Sequence, residues 1–238
     1  MNIVITGASK GIGLAIARRF AEDTNVKHSF SLCARNGEEL DSTRKALEKE
    51  FPKHSFLAQV CDVSDETQVK EFASTCFDAF GATDLLVNNA GFGIFKQVTE
   101  LSASDFRAVL GTNLRGVFLL TRELLPPMRE KKSGTIVTIS SLAGKNGFSG
   151  GAAYCASKFA VRGFMQCLFL EIRKDNIRCL TVFPGSVETD LQKIIVPAPT
   201  ITRMLSVSDV AECVWSSVKL PSGATVSELD IRPTNPKG

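Results

Sequence analysis

Short apolar runs of strand length alternate along the chain with longer segments of helical period. The runs cover residues 2–6, 29–34, 55–60, 84–88, 135–139, 178–183 and 226–232. Several of them, such as Ile3-Val4-Ile5 and Asp84-Leu85-Leu86-Val87, are continuous rather than alternating. Strands buried on both faces read that way, as in a parallel sheet covered by helices. Between them the helical period predicts helices over about 11–22, 38–50, 65–80, 103–130 (broken or bent), 151–174 and 207–219. Ser102-x-x-Asp105 and Ser206-x-x-Asp209 resemble capping boxes at the start of two of these. The β-α-β alternation predicts right-handed crossovers and an α/β fold with a doubly wound sheet.

No linker rich in Pro, Gly or Ser and no internal repeat divides the chain, which reads as one domain over residues 1–238. One segment breaks the rhythm. Residues 190–206 carry Pro197 and Pro199 among Leu191, Ile194, Ile195, Val196 and Ile201, directly after a strand end. In an open α/β sheet ligands bind beyond the carboxyl ends of the strands, so this apolar irregular segment is a candidate lid.

Composition narrows the function classes. Hydrophobic residues make up 44% and charged residues 22% of the 238, an ordinary globular balance. A net charge of +3 without a dense basic run points to no nucleic-acid partner. No apolar stretch approaches the roughly 18 residues that cross a bilayer, and the opening Met1 to Gly7 reads as a strand and turn rather than a leader. The seven cysteines are scattered and never spaced C-x-x-C, which fits a reducing compartment, the cytoplasm, and argues against a zinc site. The two histidines, His28 and His54, sit in polar sequence surroundings and are expected at the surface; no metal is expected.

Chemistry first shows in the turn after the first strand, Thr6-Gly7-Ala8-Ser9-Lys10-Gly11-Ile12-Gly13. Glycines there allow close approach of backbone to a pyrophosphate, and the following helix offers its free N–H groups and positive end. The spacing G-x-x-x-G-x-G differs from the commoner dinucleotide pattern and from a P-loop. At the end of the second strand, where an NAD site usually carries an acid for the ribose hydroxyl, the chain has Ala34 and then Arg35. A guanidinium can bind a 2′-phosphate through two parallel hydrogen bonds, with Lys10 as a second cation. NADP(H) is therefore expected in preference to NAD(H).

With Tyr154-Cys-Ala-Ser-Lys158 the chain resembles the short-chain dehydrogenase/reductase family, including its NADP(H)-dependent carbonyl and 3-oxoacyl reductases. The matching motifs are Thr6-Gly-x-x-x-Gly-Ile-Gly13, Asn88-Asn89-Ala90-Gly91, Asn113 in Asn-Leu-Arg-Gly, Ser141, Tyr154-x-x-x-Lys158 and Pro184-Gly185-x-Val187-x-Thr189, in the family's order. The resemblance implies a single-domain Rossmann-type sheet of seven parallel strands in the order 3-2-1-4-5-6-7. It implies a cofactor half over about 1–130 and a catalytic and substrate half over about 131–238. It also implies a cofactor site of Gly7, Ser9, Lys10, Gly11, Ile12, Gly13, Arg35, Asp62 and Val63 on one side. Asn89, Ala90, Gly91, Tyr154, Lys158, Pro184, Gly185, Val187 and Thr189 complete it, with Asp62 on the adenine and Pro184 to Thr189 on the carboxamide. The catalytic tetrad it implies is Asn113, Ser141, Tyr154 and Lys158. Ser140 is a rival, but the family's thirteen-residue spacing to the Tyr selects Ser141.

A carbonyl that accepts hydride develops alkoxide character and needs a proton and hydrogen bonds at its oxygen. A tyrosine of reference pKa near 10 is a competent acid at neutral pH. Tyr154 and Lys158 stand four apart on one helix face, so the ammonium can favour the phenolate and depress that pKa. Ser141 would donate to the substrate oxygen; by resemblance Lys158 also binds the nicotinamide ribose and Asn113 helps hold a proton-relaying water. Tyr154 is the only tyrosine, against 16 phenylalanines.

By resemblance the substrate pocket is lined by Phe92, Ile94, Phe95, Phe148 and the lid aliphatics, which suits a small apolar or mixed carbonyl compound. Apolar residues in excess along 151–174, such as Phe159, Phe164 and Leu170, imply a homodimer or homotetramer packed through the two long helices. The function expected is reduction of a ketone, aldehyde, diketone or 3-oxoacyl group to an alcohol. A non-catalytic dinucleotide-binding regulator would not need the Tyr-Lys pair. Nor would a methyltransferase, which would also carry an acid at the second strand end.

Overall fold

The computed structural model describes residues 1–195 and 203–235. Seven strands, β1 (Asn2–Thr6), β2 (Ser29–Ala34), β3 (Ser55–Val60), β4 (Leu85–Asn88), β5 (Gly134–Ile139), β6 (Ile177–Pro184) and β7 (Glu228–Ile231), form one sheet. All neighbours are parallel, in the order β3-β2-β1-β4-β5-β6-β7. The helices are α1 (Gly11–Ala21), α2 (Gly37–Glu50), α3 (Glu66–Phe80), α4 (Ala103–Leu110), α5 (Gly116–Glu130), α6 (Ala152–Ile172), α7 (Asp190–Ile195) and α8 (Val207–Val218).

The continuous apolar runs follow from burial on both faces. Ile3 and Ile5 of β1, Leu85 and Val87 of β4, and Leu180 and Val182 of β6 share one core with α1 and α8. Their neighbours Val4, Leu86 and Cys179 belong to the other, with α3, α5 and α6. A period of two therefore runs through Ile3-Val4-Ile5 and Leu85-Leu86-Val87 without any polar position to reveal it.

Expected and observed elements coincide to within a residue or two, and both capping boxes form with reciprocal bonds. The bend expected within 103–130 is a π-helical turn over Gly111–Arg115, not a kink at Pro126-Pro127, which lie inside α5. The histidines correct the sequence reading. His28 and His54 are buried, with ring centroids 5.4 Å apart and stacked, among Phe20, Phe30 and Phe56. His54 accepts the His28 backbone N–H at Nδ1 (2.9 Å) and donates from Nε2 to the Ala21 carbonyl (2.9 Å). Their polar sequence neighbours lie in turns, while the rings point inward.

Because the chain runs outward from β1 to β3 and then restarts at β4 on β1's other side, a crevice opens between the carboxyl ends of β1 and β4. Asn89 and Thr6 close its floor. The Thr6 hydroxyl oxygen accepts the backbone N–H groups of Asn89 (3.0 Å) and Ala90 (2.9 Å), and the Asn89 amide donates to the carbonyls of Thr6 and Gly7.

Candidate active site

A cavity of about 580 Å³ occupies this crevice and runs from Arg35 and Asp62 at one end to Ser141, Tyr154 and Lys158 at the other. It brings together every residue expected in the cofactor site and the tetrad except Gly13 and Asn113, while Phe92, Ile94, Phe95 and Phe148 are not in its lining. Gly13 and Asn113 stand behind its wall. A Cβ at Gly13 would lie 2.5 Å from the Gly7 carbonyl oxygen and 2.6 Å from the Asn89 amide, so this glycine lets α1 approach the turn. Gly7 and Gly11 have φ of +61° and +58°, the left-handed region that favours glycine. Toward the cavity a Cβ at Gly11 would meet only the Thr189 methyl, at 3.9 Å. A backbone cradle open above Gly11, at the start of a helix, fits the pyrophosphate of a dinucleotide. At the far end Asp62 turns its carboxylate to the N–H and hydroxyl of Ser64.

The tetrad residues are positioned by four elements. Tyr154 and Lys158 lie one turn apart near the start of α6, both buried. The Lys158 ammonium donates to the Ile139 carbonyl (2.9 Å) at the end of β5 and stands 5.8 Å from the centre of the Tyr154 ring. Burial lowers its pKa to about 8. Burial also pushes the Tyr154 phenol up to about 12, opposed by a hydrogen bond with Ser141. The protein groups alone thus raise the phenol rather than depress it, with desolvation as the largest cause. Tyr154 is thereby held in its neutral form.

The structure separates the two serines. Ser141 caps the short helical turn that follows, accepting the Ala143 N–H (3.1 Å), and faces Tyr154. Ser140 is buried and turns its hydroxyl to the Lys158 carbonyl (3.5 Å). Asn113 sits in the π turn with its side chain spent on protein partners. It accepts the Phe92 N–H (3.0 Å) and donates to the Phe92 carbonyl (2.9 Å) and the Ser157 hydroxyl (3.0 Å). Its side chain therefore ties the loop after β4 to α6, and Ser157 is a positioning residue that the sequence reading missed. A second tie lies beyond Ser141. Lys145 pairs with Glu228 (3.0 Å) and Asp230 (2.6 Å) of β7, and Arg162 of α6 pairs with the same Glu228 (2.7 Å). Arg162 first, and Lys145 after it, hold the Glu228 carboxyl down at about 2.

At the other end, two cations and an unforeseen acid share a corner. Lys10 pairs with Asp190 (3.1 Å) at the start of α7 and with Glu39 (3.4 Å) in the first turn of α2. Arg35 lies over the Phe92 ring at 5.5 Å, so Phe92 faces the cofactor corner rather than the substrate end expected for it. Glu39 lines the cavity with Asn36, and no sequence motif marked either.

The substrate end carries Phe95, which stacks on Phe148 (6.0 Å) and meets Tyr154 edge-on (5.5 Å). Leu191 packs with Phe95 on the Ala143, Tyr154 and Cys155 cluster. The segment 190–206 is not irregular throughout: Asp190–Ile195 is helical, and Leu205 bridges back to Val187. Val196, Pro197, Pro199 and Ile201 lie outside the described residues.

Comparison with known proteins points to one family. A family model described as short chain dehydrogenase matches residues 1–199. A sepiapterin reductase of Chlorobaculum tepidum is 33% identical over 237 residues, covering 98% of this chain and 96% of that protein. An NADPH-dependent pterin aldehyde reductase of Arabidopsis thaliana is 34% identical, over 80% of this chain and 76% of its own. Among solved structures, an alcohol dehydrogenase of Thermococcus sibiricus complexed with 5-hydroxy-NADP superposes with a TM-score of 0.89. It is 31% identical and covers 98% of this chain and 96% of its own.

Proposed function

Because the chain belongs to the short-chain dehydrogenase family of oxidoreductases, we propose that it is an NADP(H)-dependent carbonyl reductase converting a ketone, aldehyde, diketone or 3-oxoacyl group to an alcohol. The observation that carries this reading is one continuous cavity with Lys10 and Arg35 at one end and Ser141, Tyr154 and Lys158 at the other. Bound along it, NADPH would supply hydride to the carbonyl carbon. Gly7, Ser9, Gly11 and Ile12 cradle the pyrophosphate, Asp62 and Val63 border the adenine, and Lys10 and Arg35 take the 2′-phosphate. Asn89, Ala90 and Gly91 support the middle of the cleft, and Pro184, Gly185, Val187 and Thr189 border the nicotinamide.

Tyr154 gives its proton to the substrate oxygen while the Ser141 hydroxyl donates a hydrogen bond to it. A phenol held at about 12 carries at neutral pH the proton this step needs. Lys158, lowered to about 8, is poised to return a proton near neutrality. Asn113 and Ser157 position α6 against the cleft. The chain works as one domain, with the cofactor half over about 1–130 and the catalytic half over about 131–238. Two further readings go with this one: assembly into a homodimer or homotetramer, supported by apolar residues exposed on α5 and α6, and residence in a reducing cytoplasm, supported by seven free cysteines. Among the described residues no helix is long and apolar enough to cross a membrane.

The test is oxidation of NADPH and of NADH by the purified protein against ketones, aldehydes, diketones, 3-oxoacyl thioesters and pterin side-chain carbonyls. The two pterin reductases among its relatives earn that last class its place. Faster turnover with NADPH on any of these supports the reading. Faster turnover with NADH sinks the cofactor assignment, and tight NADPH binding without turnover on any class would favour a non-catalytic regulator.

A further inference from the structure

We propose that Glu39 is a specificity-determining residue that restrains the preference for a 2′-phosphate: its carboxylate engages Lys10 and lines the corner that phosphate must enter. The inference rests on the reading above, in which Lys10 and Arg35 receive the 2′-phosphate of NADPH. The sequence lacks an acid at the end of β2, where Ala34 stands. Folding supplies one from elsewhere. Asn36 caps α2 by accepting the Glu39 N–H (3.1 Å), which fixes where that residue leaves the helix. Thr43, one turn on, donates to the Ser9 carbonyl (2.8 Å), so α2 is fastened to the glycine turn. From there Glu39 accepts the Ser9 hydroxyl at 2.7 Å and faces the Lys10 ammonium at 3.4 Å.

Charge decides the sign. Lys10 is shared between Glu39 and Asp190, and Arg35 adds the second cation. Among the described residues of this corner, the Lys10 ammonium is already matched by two carboxylates, Glu39 and Asp190. A 2′-phosphate entering it gains Lys10 but meets the Glu39 carboxylate, which cannot donate a hydrogen bond to it. A 2′-hydroxyl carries no charge and has a proton to offer a carboxylate. Glu39 therefore penalises NADPH and tolerates NADH, so the site discriminates less than its two cations alone would.

The experiment measures the dissociation constants of NADPH and NADH by quenching of protein fluorescence, at several salt concentrations, for wild type, Glu39→Gln and Lys10→Met. Removing one half-buried carboxylate should tighten NADPH about 3- to 10-fold. NADH should still bind Glu39→Gln, no tighter than wild type, and its retained binding shows that the variant is folded. The dependence of NADPH binding on salt should steepen in Glu39→Gln and that of NADH should not, a change that a merely structural role would not produce. Unchanged or weaker NADPH binding by Glu39→Gln overturns the inference. Lys10→Met distinguishes the two failures. If it weakens NADPH while Glu39→Gln does not tighten it, only the role of Glu39 falls; if it leaves NADPH binding as in wild type, the assignment of the phosphate corner falls with it.

Discussion

At the scale of single residues, Tyr154 and Lys158 are both buried, and each is pushed toward its neutral form, the phenol up to about 12 and the ammonium down to about 8. A neutral phenol beside Ser141 keeps the proton that a substrate oxygen needs. Tyr154→Phe keeps the ring that packs on Phe95 and removes only that proton. Turnover should fall by about 10²- to 10⁴-fold with NADPH binding little changed. Steady-state rates and a direct binding titration check this, and near-normal turnover would remove Tyr154 as the donor. The Tyr-Lys pair was readable in the sequence because four residues on a helix bring two side chains to one face. Glu39 was not, because it meets Lys10 only where α2 folds back over the glycine turn. Phe92 was misplaced for a similar reason, since its nearest charged partner, Arg35, comes from a different strand end.

At the scale of elements, the site depends on where helices start, bend and stay uncovered. Ser102 and Ser206 start α4 and α8 by local bonds alone, so both were legible three residues at a time. The π turn that seats Asn113 was seen only as a break, because its register is set by the bonds to Phe92 and Ser157 across the fold. Helices α5 and α6 leave large apolar side chains in water, with Phe118 at 42%, Phe159 at 45% and Leu170 at 61% exposure. A face of that kind is the one expected to be covered by a second copy. Sedimentation velocity should give a mass at least twice the 25.7 kDa of one chain, and Phe118→Glu with Phe159→Glu should shift it toward the monomer. A monomeric wild type would refute the assembly.

At the scale of the whole molecule, the cavity lies at the carboxyl ends of the strands, and the stacked histidines lie at the opposite ends of β2 and β3. Burial, and behind it the nearby N-terminal amine, lowers the His28 pKa from 6.5 to about 4. The folded state therefore favours the neutral ring. Its contribution is fully present above pH 6.5 and is lost as the pH falls from there toward 4, because the unfolded chain takes up the proton first. The loss amounts to roughly 3 kcal/mol by pH 4. Urea melts of wild type and His28→Phe across pH 7.5 to 4 check this. The wild type should lose its stability relative to the variant over that window, and parallel curves would show that His28 does not titrate in the fold.

The sequence by itself determined the seven strands, the helices between them, the glycine turn and the spacing of Ser141, Tyr154 and Lys158, all of which follow from periodicity, local hydrogen bonding and short motifs. Only the tertiary structure decided that His28 and His54 are core residues, that Asn113 is tied to Phe92 and Ser157, and that an acid reaches the cofactor corner from α2. Those outcomes rest on burial and on contacts between segments far apart in the chain. Desolvation and long-range electrostatics depend on what surrounds a group in space, and no window of neighbouring residues contains that.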